Sequence, residues 1–252
     1  VGGMTPGSCP TNATEIHQEG LRLPPMKLYN QGKPNKTLFT ILKAASRTPE
    51  IVLADISAYV GACTVAENRF LELVEEHGVS TLDRYLAELL DYTERLARAE
   101  ITAMPDGKYY FEDKLDDDGV NLKNEVTIRL TITVDGDELV YDFDGTDPQV
   151  ASSMNNPLGS TRSAVVTAVR SMMGGDVPRN GGAWRPVTLN VPDGSLLNPQ
   201  FPAPVASRGG TAQRLSDVLL GCQCQIRPER MLACSSGAVS YTHLTLPTIR
   251  EG

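Results

Sequence analysis

The stretch "VTIRLTITVDGDELVYDFDGTDPQV", Val126 to Val150, decides how the rest of the chain is read. Val126, Ile128, Leu130, Ile132 and Val134 alternate with polar or β-branched partners, the period-two pattern of a strand that buries one face. "VDGDEL" then turns the chain back into a second strand, because Asp-Gly between alternating runs supplies the positive torsions of a tight hairpin. The stretch closes on an acid-rich turn, with Asp142, Asp144, Thr146 and Asp147 around Gly145. Such a turn is an ordinary strand exit, since Gly tolerates left-handed torsions and Asp and Thr side chains satisfy loose backbone donors. The same carboxylates could instead serve a cation or a substrate, although their spacing lacks the regular loop of a calcium site.

Upstream of Pro105 the period is helical. Glu19 to Asn35 carries Pro24, Pro25 and Pro34 and is expected to be extended or looped. Lys36 to Ala45 reads as a short helix. Thr48 and Pro49 read as the cap and first turn of a longer one that Gly78 stops. Thr81 to Thr102 repeats the pattern with Leu82, Leu86, Leu89, Leu90 and Leu96 on its apolar side, so the spacing predicts an antiparallel helical hairpin. Downstream, "YYFEDKLDDDG" is a strand exit, Ser160 to Met173 a helix, and "WRPVTLNVPDGSLLNPQFPAPV" a strand with proline-punctuated loop. Thr211 to Gln225 is a last helix with Leu215, Val218, Leu219 and Cys222 inward. Helices and strands come in blocks, which predicts an α+β fold with a helical hairpin and mainly antiparallel strands.

Composition narrows the function classes. The 252 residues are 40% hydrophobic and 21% charged, enough for one globular domain or two small ones. A net charge of −8 argues against nucleic acid as partner, because a phosphate-tracking surface needs a basic face. No apolar run approaches the roughly 20 residues of a bilayer span and the first residues lack the charged-then-apolar order of an export signal, so no membrane partner and a cytoplasmic location are expected. Cys9, Cys63, Cys222, Cys224 and Cys234 fit neither a zinc framework nor a disulfide set and read as reduced, mostly buried thiols. His17, His77 and His243 are far apart, so no local metal or triad cluster is read within the chain.

Both ends look internal or foreign. The chain opens on Val1-Gly2-Gly3 with Met4 fourth. "VSYTHLTLPT", Val239 to Thr248, matches codon by codon the in-frame translation of a transposase adapter used in preparing sequencing libraries. The native domain is therefore expected to cover 1–238, with 239–252 an adapter-derived tail. Reading the source DNA across both ends tests this.

Several residues carry candidate chemistry. Glu19, in a loop ahead of the prolines, could act as a general base on water. A solvated loop acid is the plainer alternative. Arg47, Arg179, Arg185 and Arg208 lie in or beside Pro/Gly-rich loops, where a guanidinium could clamp carboxylate or phosphoryl oxygens, or simply pair with a local acid. Asn155, Asn156 and Asn180 flank turns and could donate to a substrate carbonyl, although capping is their commoner role. Trp184 reads as a core or interface anchor. "RNGGAW" lacks the Lys-Ser/Thr ending of a phosphate loop, and no ATP motif is visible.

The blocks "GGMTPGS", "EIHQEGLRLPPMKLY", "RTPEIVLADISAYV", "KLDDDGV", "YDFDGTDPQV" and "PRNGGAWRPVTLNVPDGSLLNPQFPAPV", in this order, span nearly all of 1–238. Together they resemble the hydantoinase B family, which includes the B-type component of ATP-dependent N-methylhydantoinase and the C-terminal half of 5-oxoprolinase. The resemblance implies a partial B-type component of an ATP-dependent cyclic amide hydrolase, in a hetero-oligomer with an A-type, actin-like ATPase that activates the ring carbonyl. Glu19, Asp142 and Asp144 are then the catalytic candidates, and Arg47, Asn155, Arg179, Asn180, Arg185 and Arg208 the substrate-binding ones. ATP is used by the partner. A divalent metal is implied for the full-length protein through a His and Asp cluster upstream of Val1, so the fragment alone is expected to be inactive. Acetone and acetophenone carboxylases share the module, which makes a ketone carboxylase component the alternative; a non-catalytic assembly module is the alternative of another class.

Overall fold

The computed structural model describes residues 1–4, 10 and 12–230. The expected boundary near Ala238, the 239–252 tail, Cys9 and Cys234 lie outside the described residues. The chain divides into two compact units, one of Val1–Pro10 with His17–Leu89 and one of Thr11–Ile16 with Leu90–Gly252.

In the first unit the proline-rich stretch yields two-residue strands, β1 (Tyr29–Asn30) and β2 (Lys33–Pro34), paired antiparallel. They stay short because Pro34 has no N–H to extend the ladder. α1 (Lys36–Ala45) begins at Asn35, whose side-chain oxygen accepts from the Leu38 N–H at 3.2 Å, and buries Leu38 and Leu42. α2 (Pro49–His77) has the expected first-turn proline, but the Thr48 hydroxyl makes no capping bond, and the Ser46 hydroxyl instead accepts from the Thr48 N–H at 3.1 Å. Gly78, at φ 78°, alone joins α2 to α3 (Val79–Thr102). The short connection is as expected, yet no seam between the two helices is buried. α2 buries none of its residues, and Leu86 and Leu89 of α3 stay 47% and 45% exposed. Periodicity marks an apolar stripe without saying what covers it. By length and composition alone α2 is also apolar enough to cross a membrane, although Asp55, Glu67 and Arg69 interrupt its apolar run.

The second unit is built on the alternating stretch. β3 (Gly107–Leu115), β4 (Val126–Asp135) and β5 (Glu138–Asp142) run antiparallel, with Asp135 opposite Glu138 across the Gly136 turn. α4 (Leu158–Met172) then intervenes before β6 (Val187–Asn190), which pairs parallel to β5 and completes the order β3-β4-β5-β6. A parallel neighbour requires such a crossover, so one pair departs from the antiparallel rule of the rest. α5 (Arg208–Ile226) packs on β3 and β4, and α4 packs on α5. Ile128, Leu130, Ile132, Leu139, Tyr141, Phe143, Leu215 and Leu219 are at most 1% exposed and form the core between sheet and helices. The mixed helix-and-sheet class is the one expected.

The core carries polar groups that must be satisfied. Gln223 Nε2 donates to the buried Tyr141 hydroxyl at 3.1 Å, and Cys222 Sγ donates to the Tyr109 carbonyl at 3.0 Å. Burial pushes the Cys222 thiol up to about 12 and raises Tyr141 as well. The unfolded chain ionises such a thiol near its ordinary value while the folded chain keeps it neutral. The stability this contributes is therefore complete below the unfolded pKa and is lost as pH rises toward the folded one. The denaturation midpoint should fall between about pH 9 and 12, and Cys222→Ala should flatten part of that fall. A midpoint that is constant over that range contradicts the assignment.

Candidate functional site

The sequence-based candidates are scattered over the fold, and two of the places they occupy are cavities. In the first unit, Glu19 follows a 3-10 turn (Ile16–Gln18) and is half-buried. Its backbone lies beside the chain start, where the Met4 N–H donates to the Gln18 carbonyl at 3.0 Å and the Leu21 N–H to the Val1 carbonyl at 2.7 Å. The approach is so close that a Cβ on Gly3 would come within 2.5 Å of the Glu19 carbonyl oxygen. Arg47 donates to the Gly3 carbonyl at 2.5 Å from just before α2. The fold thus brings Glu19 and Arg47 to one short segment, Val1 to Met4, although they are 28 positions apart in the sequence.

The acid-rich turn resolves into two roles. Thr146 and Asp147 pin the turn to β4. Thr146 Oγ1 accepts from the Arg129 N–H and donates to the Arg129 carbonyl, both at 3.1 Å. Asp147 accepts from the Thr127 N–H at 2.8 Å and from Arg129 Nη1 at 2.9 Å. Arg129 also donates to the Gly145 carbonyl, and the positive φ of 81° at Gly145 lets the chain make that bend. Asp142 and Asp144 point the other way, into a shallow cavity of about 520 Å³ shared with Asn190 and Pro192. Asp142 Oδ1 accepts from the Asp144 N–H at 3.1 Å, so even here one oxygen holds the turn.

Asn155 is fully buried and its amide is committed to backbone. Oδ1 accepts from the Val150 N–H at 2.8 Å, and Nδ2 donates to the carbonyls of Val150, Ser152 and Pro204. It therefore fixes a loop, which removes the physical basis for reading it as a substrate contact. Its neighbour Asn156 donates to Thr161 Oγ1 at 2.8 Å while its own oxygen is buried without a partner. Arg208, the exposed first residue of α5, donates to the Val205 carbonyl at 3.5 Å. Arg185 donates to Asp91 at 2.6 Å and to Glu94 at 3.0 Å. That bond, with one from Arg98, holds the Glu94 carboxyl below its ordinary range. The plainer reading of Arg185, a pairing with acids, is the one observed, with partners 94 and 91 positions away.

The larger cavity, about 700 Å³, lies between α4 and the turn that follows it, and Arg179 and Asn180 line it with Trp184. Asn180 caps the 3-10 turn Gly181–Trp184 by accepting from the Gly182 N–H at 2.8 Å, and donates to Thr93 Oγ1 at 2.9 Å. Gly182 must be glycine. A Cβ there would fall inside the van der Waals envelope of the Leu90 carbonyl oxygen and 2.9 Å from Thr93 Cβ. Gly182→Ala is expected to cost about 1–3 kcal/mol by lifting the turn off α3. Urea unfolding indistinguishable from the parent would refute that packing.

Arg170 was not singled out from the sequence. It lines the same cavity from the last turn of α4, and nothing in its helical context marks it, because only the returning loop makes that helix face a wall. Among the described residues no three His, Cys, Asp or Glu side chains gather into a set that could hold a metal. The donor set these residues offer does not fit a divalent metal.

A family model for hydantoinase B/oxoprolinase matches residues 1–250. A B-type D-/L-hydantoinase component assigned to Pseudomonas sp. strain NS671 is 34% identical over 244 residues, which is 92% of this chain and 41% of that protein. The crystal structure of the ATP-dependent caprolactamase of Pseudomonas jessenii superposes with a TM-score of 0.83 at 31% identity, over 91% of this chain and 40% of the other. An acetone carboxylase, at 17% identity and a TM-score of 0.77, covering 91% of this chain and 32% of the other, shares the fold. The chain thus spans about two fifths of the length of the hydantoinase relative. The order of sequence blocks and the family match over residues 1–250 agree: the chain belongs to the hydantoinase B/oxoprolinase family.

Proposed function

We propose that this chain is part of the B-type component of an ATP-dependent cyclic amide hydrolase and works with an A-type ATPase partner. The observation that carries the reading is the likeness, at 31% identity and a TM-score of 0.83, to the ATP-dependent caprolactamase. An amide carbon is a poor electrophile, and transfer of a phosphoryl group to its oxygen makes addition of water feasible. Glu19 is proposed as the base that takes the proton of that water as it adds to the ring carbon, with Arg47 holding the adjacent backbone. The C–N bond then breaks with the nitrogen leaving as an amine that receives the proton, and a second water hydrolyses the acyl phosphate to the acid and inorganic phosphate. Asp142 and Asp144 are secondary candidates, since their cavity is shallow and one carboxylate oxygen already serves the turn. ATP belongs to the partner, the assembly is a hetero-oligomer, and the location proposed is the cytoplasm.

The test is to produce the protein with an A-type ATPase and offer hydantoin, 5-oxoproline or caprolactam. ATP-dependent appearance of the ring-opened acid supports the proposal. Bicarbonate-dependent consumption of a small ketone would replace it with the carboxylase reading. Stable association with the ATPase and no turnover of any ring would replace it with an assembly module.

A further inference from the structure

We propose that the cavity between α4 and the Arg179–Trp184 turn is a binding site for a small organic monocarboxylate with an apolar body. At about 700 Å³ it falls within the size range of small-molecule sites. Its floor is apolar, with Val169 and Ala183 buried, and Val166 and Trp184 extend that surface toward the mouth. The charged groups in its wall are two arginines, Arg170 and Arg179, and no carboxylate lines it, in a chain whose net charge is −8. Six other arginines of the described residues are held in ion pairs with acids. Arg170 is anchored differently, by Nη1 donating to the Val177 carbonyl at 2.7 Å, which aligns it without neutralising it. Among the described residues Arg179 has no ion-pair partner and is exposed at the rim.

The hydroxyl and amide side chains of the wall are already engaged. Thr167 Oγ1 donates to the Ser163 carbonyl at 2.9 Å, Ser171 Oγ to the Ala168 carbonyl at 2.7 Å, and the Asn180 amide is tied to Thr93 and Gly182. The side-chain donors left to meet a ligand are the Trp184 indole N–H and the guanidinium N–H groups, whose planar fork matches a carboxylate. Alkyl or ring carbon then fits the Val and Trp surface. Inorganic phosphate would satisfy the arginines but leave the apolar walls wet. This assignment stands apart from the hydrolase reading and does not require turnover.

Trp184 is the only tryptophan of the chain, so its fluorescence reports on this cavity alone. Hexanoate is expected to produce a saturable fluorescence change, matched by calorimetric binding with the same midpoint. Hexanamide and inorganic phosphate should each bind at least about tenfold more weakly, and Arg179→Gln should weaken hexanoate by a similar factor without altering the melting temperature. Val166→Phe, which fills the mouth from an exposed position, should weaken hexanoate as well. The proposal is overturned if hexanoate shows no saturation by either method, if hexanamide or phosphate matches it, or if Arg179→Gln binds hexanoate as the parent does.

Discussion

Phe143→Ala is expected to lower folding stability by about 3–5 kcal/mol, the cost of emptying a fully buried aromatic position. Asp144→Ala, one residue on, should change it by less than about 0.5 kcal/mol. The contrast follows from the strand period. Tyr141 and Phe143 point into the core at 0% exposure, while Asp142 is half-buried and Asp144 exposed on the opposite side. Continuing past the end of β5, the Phe143 N–H still donates to the Asn190 carbonyl of β6 at 2.9 Å, so alternation is enforced by backbone pairing one residue beyond the strand. Urea midpoints of the two variants check this. Comparable losses at both positions would mean that the turn, rather than the core side of the strand, carries the stability.

Glu19→Gln is expected to reduce ATP-dependent ring opening by about 10²–10⁴-fold while leaving association with the ATPase partner unchanged, the usual contribution of a positioned general base. The substitution keeps the shape of the side chain, and the backbone bonds around Glu19, from Met4 to Gln18 and from Leu21 to Val1, do not involve it. Asp142→Asn with Asp144→Asn should have a much smaller effect on the same rate. Turnover within about tenfold of the parent for Glu19→Gln would remove Glu19 as the base, because loss of a general base costs more than that.

Within α1 and α5 the amino-acid pattern was sufficient. The helix over Lys36–Ala45 and the first-turn proline of α2 were read at their observed positions, and α5 buries the expected Leu215, Val218, Leu219 and Cys222. Local signals suffice there because capping, proline geometry and a 3.6-residue stripe act over a few neighbouring residues. The candidate site was legible only as a set of residue types. Arg185 looked like Arg179, a guanidinium in a Pro/Gly-rich loop, yet one is paired to Asp91 and Glu94 while the other stands at a cavity mouth. Asn155 looked like Asn180, and it is saturated by backbone groups from two separate loops.

What the sequence determined by itself is the secondary structure, its α+β class and the family, because those are written in short-range periodicity and in the order of sequence blocks along one chain. The tertiary structure alone decided which polar groups remain available. It set Thr146 and Asp147 against β4, placed Asp142 and Asp144 at a shallow cavity with one Asp142 oxygen spent on the turn, and brought Arg170 and Arg179 to a wall without a carboxylate. The physical reason is that a side chain's hydrogen-bonding capacity is spent on whatever group the fold brings within about 3 Å. Such partners are often a hundred residues away, as with Arg214 and Asp113, and no local pattern encodes them.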